Sequence, residues 1–240
     1  VDSRSKGLPL SQLAGGGASP LGAFSTPGMA VIRARVAKAQ VLSLVEQAVR
    51  YFPGSATLLP LAREAAPLFT GNAAVLVSHA KVTTGLRTRE ARFFALRGAL
   101  LVEVADAVAM AAVLAKLDPK TLAFREGTIS VSLEGTVLVV ANDADVRARA
   151  VAALPKAAGK QGHGVEFELD PKLVAKGLQQ VPLLEAVQAP ELAGLVAAGT
   201  ELGPLLLASE RVSGFLDSGA GGTHSGRVVW ELDAGKFAGD

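Results

Sequence analysis

Gly98-Ala-Leu-Leu-Val-Glu-Val-Ala-Asp106 and Gly135-Thr-Val-Leu-Val-Val-Ala-Asn-Asp143 can be laid on each other without a gap, 37 residues apart, and the offset continues through alanine-rich stretches that end at Leu117 and Leu154. Each copy reads as a turn glycine, an apolar run of strand length, an aspartate able to accept from the first free amides of a helix, and the helix itself. Glu134-Gly135 ahead of the second copy makes a tight turn, so that strand is one arm of a hairpin. A looser echo pairs the order strand, helix, helix, strand over residues 29–82 with the same order over residues 165–232. Together the repeats predict an α+β fold, with a mainly antiparallel sheet on one side and helices covering it on the other, built around a partly duplicated strand–helix unit.

Working outward, caps and turns set the punctuation. Residues 29–36 read as a strand running into a helix over 37–52 that stops at Pro53-Gly54, and Ser55 caps a second helix through residue 68, with Gly71 placed to end it. A strand over 72–82, a polar turn and a strand or hairpin over 91–105 follow, then a helix over 107–117 capped by Asp106. Beyond Asp118-Pro119 come short strands at 122–125, 128–133 and 136–141, a helix over 144–154 capped by Asp143, and a strand over 165–169. Asp170-Pro171 opens another helix, further helices fill 183–215, and the last strand is 226–232. Residues 1–28 differ, with Gly15-Gly16-Gly17, Ser19-Pro20 and Thr26-Pro27 and no apolar period. Such composition predicts a flexible tether over 1–28, joined to a single domain over 29–240 of two related halves, about 29–118 and 119–240. The alternative is an arm packed on the body through Leu8, Leu10 and Leu13. The chain opens at Val1, read as a processed or trimmed start with any signal segment upstream of it.

With 240 residues, 50% of them hydrophobic, the chain can bury a substantial core. Its net charge of +2, from 24 basic and 22 acidic residues, is small for a nucleic-acid binder. The absence of cysteine removes disulfides, thiolate nucleophiles and cysteine-ligated metal centres, and leaves the redox compartment open. Mean hydropathy is high at +0.36. The longest apolar window, 192–207, is nevertheless broken by Glu201, Gly203 and Pro204 and falls short of the roughly 18 residues of a spanning helix.

The search for catalytic motifs is mostly negative. There is no His-Glu-x-x-His, Gly-x-Ser-x-Gly or Walker loop. The clusters at 159–164 and 219–226 lead into strands rather than helices, the wrong order for a phosphate cradle, and read as flexible turns. His79, His163 and His224 are far apart. The loose repeat would put His79 and His224 in or beside corresponding strands, but surface or turn positions are the simpler reading. Ser78 beside His79, and Ser225 beside His224, would point to opposite faces of a strand and so form no nucleophile–base pair.

Two features suggest binding instead. Lys81, Arg87, Arg89, Arg92 and Arg97 face a single acid, Glu90, in one connection, a basic cluster suited to an acidic protein partner or to phosphate headgroups at a membrane surface. With one Trp and one Tyr in the chain there is no base-stacking platform, so nucleic acid is not expected. Residues 178–209 carry no basic side chain, and Leu192, Leu195, Val196 and Leu202, continued by Leu206, mark a helical stripe that reads as core or as the lining of an apolar pocket.

Residues 68–77, 100–106, 137–143 and 165–171, as Leu-Phe-Thr-Gly-Asn-Ala-Ala-Val-Leu-Val, Leu-Leu-Val-Glu-Val-Ala-Asp, Val-Leu-Val-Val-Ala-Asn-Asp and Val-Glu-Phe-Glu-Leu-Asp-Pro, together resemble a bacterial envelope family known only as a domain of unknown function. The resemblance covers residues 29–232 and brings no catalytic residues with it. It implies a place outside the inner membrane, periplasmic or at the outer membrane, behind a signal or anchor; a cytoplasmic chain is the alternative. The expectation is a non-catalytic envelope protein that binds or scaffolds a protein partner, with no cofactor. A carrier of a lipid or acyl chain held between sheet and helices is the second reading, and a histidine-based hydrolase or metal enzyme the third.

Overall fold

A computed structural model describes residues 17–49, 55–80, 88–155, 159–180, 201, 203–218 and 224–233. In chain order the elements are β1 (Gly17–Ser19), β2 (Ala30–Arg35), α1 (Val41–Val49), α2 (Ser55–Ala65), β3 (Phe69–Ala80), α3 (Arg89–Ala95), β4 (Leu96–Val104) and α4 (Ala107–Leu114). They continue with β5 (Ala123–Phe124), β6 (Gly127–Thr128), β7 (Ser130–Glu134), β8 (Val137–Ala141), α5 (Ala144–Ala152), β9 (Gly159–Gln161), β10 (Val165–Leu169), α6 (Pro171–Gln179), β11 (Ser209–Ser218) and β12 (His224–Leu232). Eight strands form one antiparallel sheet in the order β12-β11-β10-β2-β3-β4-β8-β7, so the fold is α+β.

Both copies of the strand–helix unit are present and lie side by side, with Leu101 of β4 opposite Val139 of β8. Asp106 accepts from the Ala109 amide at 2.9 Å, and Asp143 from the Asp145 and Val146 amides at 3.0 and 3.1 Å, so each aspartate starts its helix as the repeat implies. Gly135, at φ 62°, makes the turn between β7 and β8. The looser repeat does not hold as drawn, since 226–232 forms β12, which stands in the place of β4 and not in that of β3, where 72–82 lies; a symmetry of strand order is present instead. Ala30 pairs with Val77 and Val77 with Gly98; Val165 pairs with Leu216 and Leu216 with Gly226. The order β4-β3-β2 is thus mirrored by β10-β11-β12 about the β2–β10 seam.

Several expectations are corrected. Helices cover both faces, because the central strands are apolar on both sides. Val31, Leu76, Leu101 and Val139 pack with α5, while Phe69, Val104 and Leu138 pack with Val41, Ala65, Met110 and Val113 of α1, α2 and α4. The tether does not extend to residue 28: Leu21 and Phe24 are fully buried in the first of these cores, and β1 pairs with β9. Residues 1–16 lie outside those described. The glycines at 159–164 begin with that β9 strand, because only a residue without a side chain fits where Gly159 meets Ala23 and Gly22 meets Gly159. Gly71 does not end a helix. It lies inside β3 at φ 101°, in a register shift where a Cβ would strike the Val36 carbonyl, and its own carbonyl accepts from the Val36 amide at 2.9 Å. Residues 89–95 are helical rather than extended, started by Thr88, whose hydroxyl accepts from the Ala91 amide at 3.0 Å. Residues 209–215 belong to strand β11, whose backbone is paired on both sides by β10 and β12.

The packed segment makes a sharp expectation. Phe24→Ala should cost about 3–5 kcal/mol in urea unfolding of the full chain, the range for truncating a fully buried aromatic. A loss below about 0.5 kcal/mol, as expected of an exposed tether, would contradict the packing.

Candidate functional site

The sheet face that carries the α5 core continues past β3 as a charged surface. Alternation along β10, Val-Glu-Phe-Glu-Leu, turns Glu166 and Glu168 to this face, and the register sets Arg33 opposite Glu166. Phe215 and Ser213 of β11 come next, then Arg227 and Val229 of β12. With His163 and Arg211 these residues line an open groove of about 370 Å³.

Arg33 is the hinge of its electrostatics, with its side chain only 12% exposed. It donates to Glu168 at 2.9 Å and to the Phe24 carbonyl at 3.0 Å, and it lies 3.3 Å from Glu166. Glu168 also accepts from Arg211 at 2.7 Å, while Glu166 accepts from the Gly162 and His163 amides at 2.8 and 3.1 Å. The glycine segment before β10 is thereby tied to the groove wall. Arg227 makes no ion pair with any described residue.

At one end, the His163 ring stacks on Phe215 at a centroid distance of 3.6 Å and an interplanar angle of 9°. Its Nδ1 lies 2.6 Å from Asp217, whose other oxygen accepts from the Gly164 amide at 2.7 Å. Partial desolvation pushes the Asp217 carboxyl up, but the Gly164 amide, the His163 hydrogen bond and the charge of His163 outweigh it and hold the group below its ordinary value. Among the described residues no side-chain hydroxyl bonds to His163. The groove thus sets guanidinium groups beside an aromatic stack on one sheet face.

Most of the residues singled out in the sequence lie outside those described. Lys81 and Arg87 lie outside the described residues, as do Leu192, Leu195, Val196 and Leu202. Arg89 opens α3, and Arg92, half-buried, sits in its last turn. Arg97 is removed from any partner surface: it is 8% exposed, donates to the Asn142 carbonyl at 3.1 Å and lies over the Phe94 ring. Arg97 therefore does not belong to an exposed basic surface. Leu206 is buried, in the helical turn over 203–207.

His79 and His224 are on β3 and β12, with three strands between them, about 19 Å at the usual strand spacing. Ser78 and His79 do meet, at 3.0 Å, against the strand-alternation expectation. A register shift between Val77 and His79 breaks the alternation there. The serine is buried, however, and accepts from Arg149. His224 meets Ser218 across the hairpin at 3.3 Å rather than Ser225. Among the described residues no three His, Asp or Glu side chains gather as metal ligands, and no helix is long and apolar enough to cross a membrane.

The groove escaped the sequence reading because its members come from β2, β10, β11 and β12; the alternating glutamates of 165–169 were the one local signal. Compared with known families, with curated proteins and with solved structures, the chain matches none.

Asp217→Asn should lower stability by on the order of 1 kcal/mol, since it weakens one charged and one amide hydrogen bond near the surface. Because the folded carboxyl is held below its unfolded value, its contribution is complete above the ordinary carboxylate range and is lost as pH falls through the folded value. The gap between the two proteins should therefore be constant near neutrality and close in acid. Urea titrations at several pH values measure it, and a gap that widened in acid would refute the assignment.

Proposed function

We propose that this chain is a non-catalytic binding protein of the bacterial envelope, which holds an acidic segment of a protein partner in the open groove around Arg33, His163, Arg211 and Arg227. The observation that carries the reading is the state of the groove's cations. Arg33 is committed to Glu166 and Glu168, Arg211 is half-exposed with one bond to Glu168, and Arg227 has no counter-ion among the described residues. A carboxylate entering here finds pre-positioned donors and displaces little internal structure. The groove is wide and salt-bridged, which favours a peptide backbone with charged side chains over an acyl chain. The envelope location rests on the resemblance of the strand-and-cap segments.

The reading is tested by comparative capture from envelope extracts. Arg211→Glu with Ser213→Glu places two new negative charges on the groove floor and should weaken retention of the wild-type partner at least about tenfold. Arg92→Glu, on the basic connection, should leave it unchanged. The reverse pattern would move the contact to α3. A lipid-sized extra mass in native mass spectrometry, lost on denaturation, would replace the reading with the carrier.

A further inference from the structure

β12 is an outer strand of the eight-stranded sheet, nine residues long and exposed along almost its whole length. Such an edge presents a row of unpaired amides and carbonyls, and proteins usually blunt it with a short strand, a proline or a covering element. The opposite edge follows that practice. β7 has five residues, and Arg147 of α5 reaches over it to Ser132 and Glu134 at 3.1 Å each. β12 has no proline, and its apolar side chains are open to water: Val228 is 57% exposed, Trp230 39% and Leu232 46%. Leu205 and Leu207, each 39% exposed, stand close by, since the backbone after β12 bonds Asp233 to Ala208. These are five of the eight large hydrophobic side chains exposed among the described residues.

The symmetry of the strand order offers a comparison for this edge. In the mirrored order, β12 holds the place of β4, and β4 carries an antiparallel strand, β8, on its outer side. β12 carries none among the described residues. The sequence of the strand, Arg227-Val-Val-Trp-Glu231, is complementary to itself when reversed. Opposed residues of an antiparallel pair share a face, so only registers centred on a residue are open to two identical strands. Centring on Arg227 opposes two arginines, and centring on Val228 sets each Arg227 against Val229. Centring on Val229 sets Arg227 against Glu231 twice on the groove face, and Val228 against Trp230 twice on the other. Neither Arg227 nor Glu231 has an ion-pair partner among the described residues, so the pairing satisfies two charges per chain without breaking an existing bond.

From this edge we infer that two copies of the chain associate through β12, antiparallel about a two-fold axis at Val229, and join their sheets into one of sixteen strands. The inference needs no ligand, but it shares Arg227 with the groove reading, and Arg211 of β11 lies opposite Glu231; oligomeric state and partner capture are separate readouts, so either reading can fail alone.

Sedimentation equilibrium of the full chain tests it. Wild-type protein should run as a concentration-dependent dimer of 24.5 kDa subunits. Arg227→Glu and Glu231→Arg should each weaken dimerisation by about tenfold, since each turns two attractive cross-strand pairs repulsive. The double variant should recover the wild-type constant. An equimolar mixture of the single variants should form a heterodimer, because every pair in it is again of opposite charge. Circular dichroism and thermal midpoints of all four proteins check that folding is retained. A chain that stays monomeric at millimolar concentration overturns the inference and leaves the edge to a strand of another protein. A dimer indifferent to both charge reversals overturns it too, by placing the interface elsewhere.

Discussion

The β2–β10 seam is the contact on which the rest of the molecule depends. It joins a block of three strands, β12-β11-β10, to a block of five, β2-β3-β4-β8-β7, and without it the sheet would separate into pieces with their inner edges exposed. Backbone pairing fixes Ala30 opposite Leu169 and Ala34 opposite Val165, and Arg33 adds a side-chain check on that register. A slip by one residue would turn Glu166 and Glu168 to the other face and leave a nearly buried guanidinium without carboxylates. Desolvation offsets much of the Coulombic gain in such a cluster, so its value lies in the alignments it forbids more than in net stability.

The same alignment creates the groove. The face that is apolar over β3, β4 and β8, where α5 and the N-terminal segment cover it, becomes charged over β10, β11 and β12. The boundary between the two regimes falls within β2 itself, at the step from Val31 to Arg33. The Phe24 carbonyl accepts from Arg33 there, so the segment that closes the core also holds the first cation of the groove in place.

A second polar staple secures the duplicated units to each other. Asn142, at the end of β8, accepts from the Gly98 amide at 2.9 Å and donates to the Phe93 and Leu96 carbonyls at 3.1 and 2.8 Å, while its own carbonyl accepts from Arg97. The side chain of one repeat thus satisfies the start of the other, a buried network in which a lost partner would leave an amide without a substitute. Arg97 looked in sequence like one of a row of basic surface groups; the staple is why it points inward.

By itself the sequence determined the elements whose signals are local. Asp106, Asp143 and Asp170 mark helix starts because a carboxylate can satisfy free amides within its own turn, and Glu134-Gly135 marks a hairpin because the turn needs a positive φ. The repeat at 98 and 135 carried the α+β class for the same reason, since caps and apolar periods are read residue by residue. Tertiary structure alone decided the rest. Whether Leu21 and Phe24 are buried, whether 209–218 forms a strand, which face a helix covers and which arginine meets a carboxylate all depend on partners in other elements of the fold, as Arg33 does on Glu168. Short polar or mixed segments carry too weak an intrinsic preference to settle these matters before the sheet supplies their hydrogen bonds.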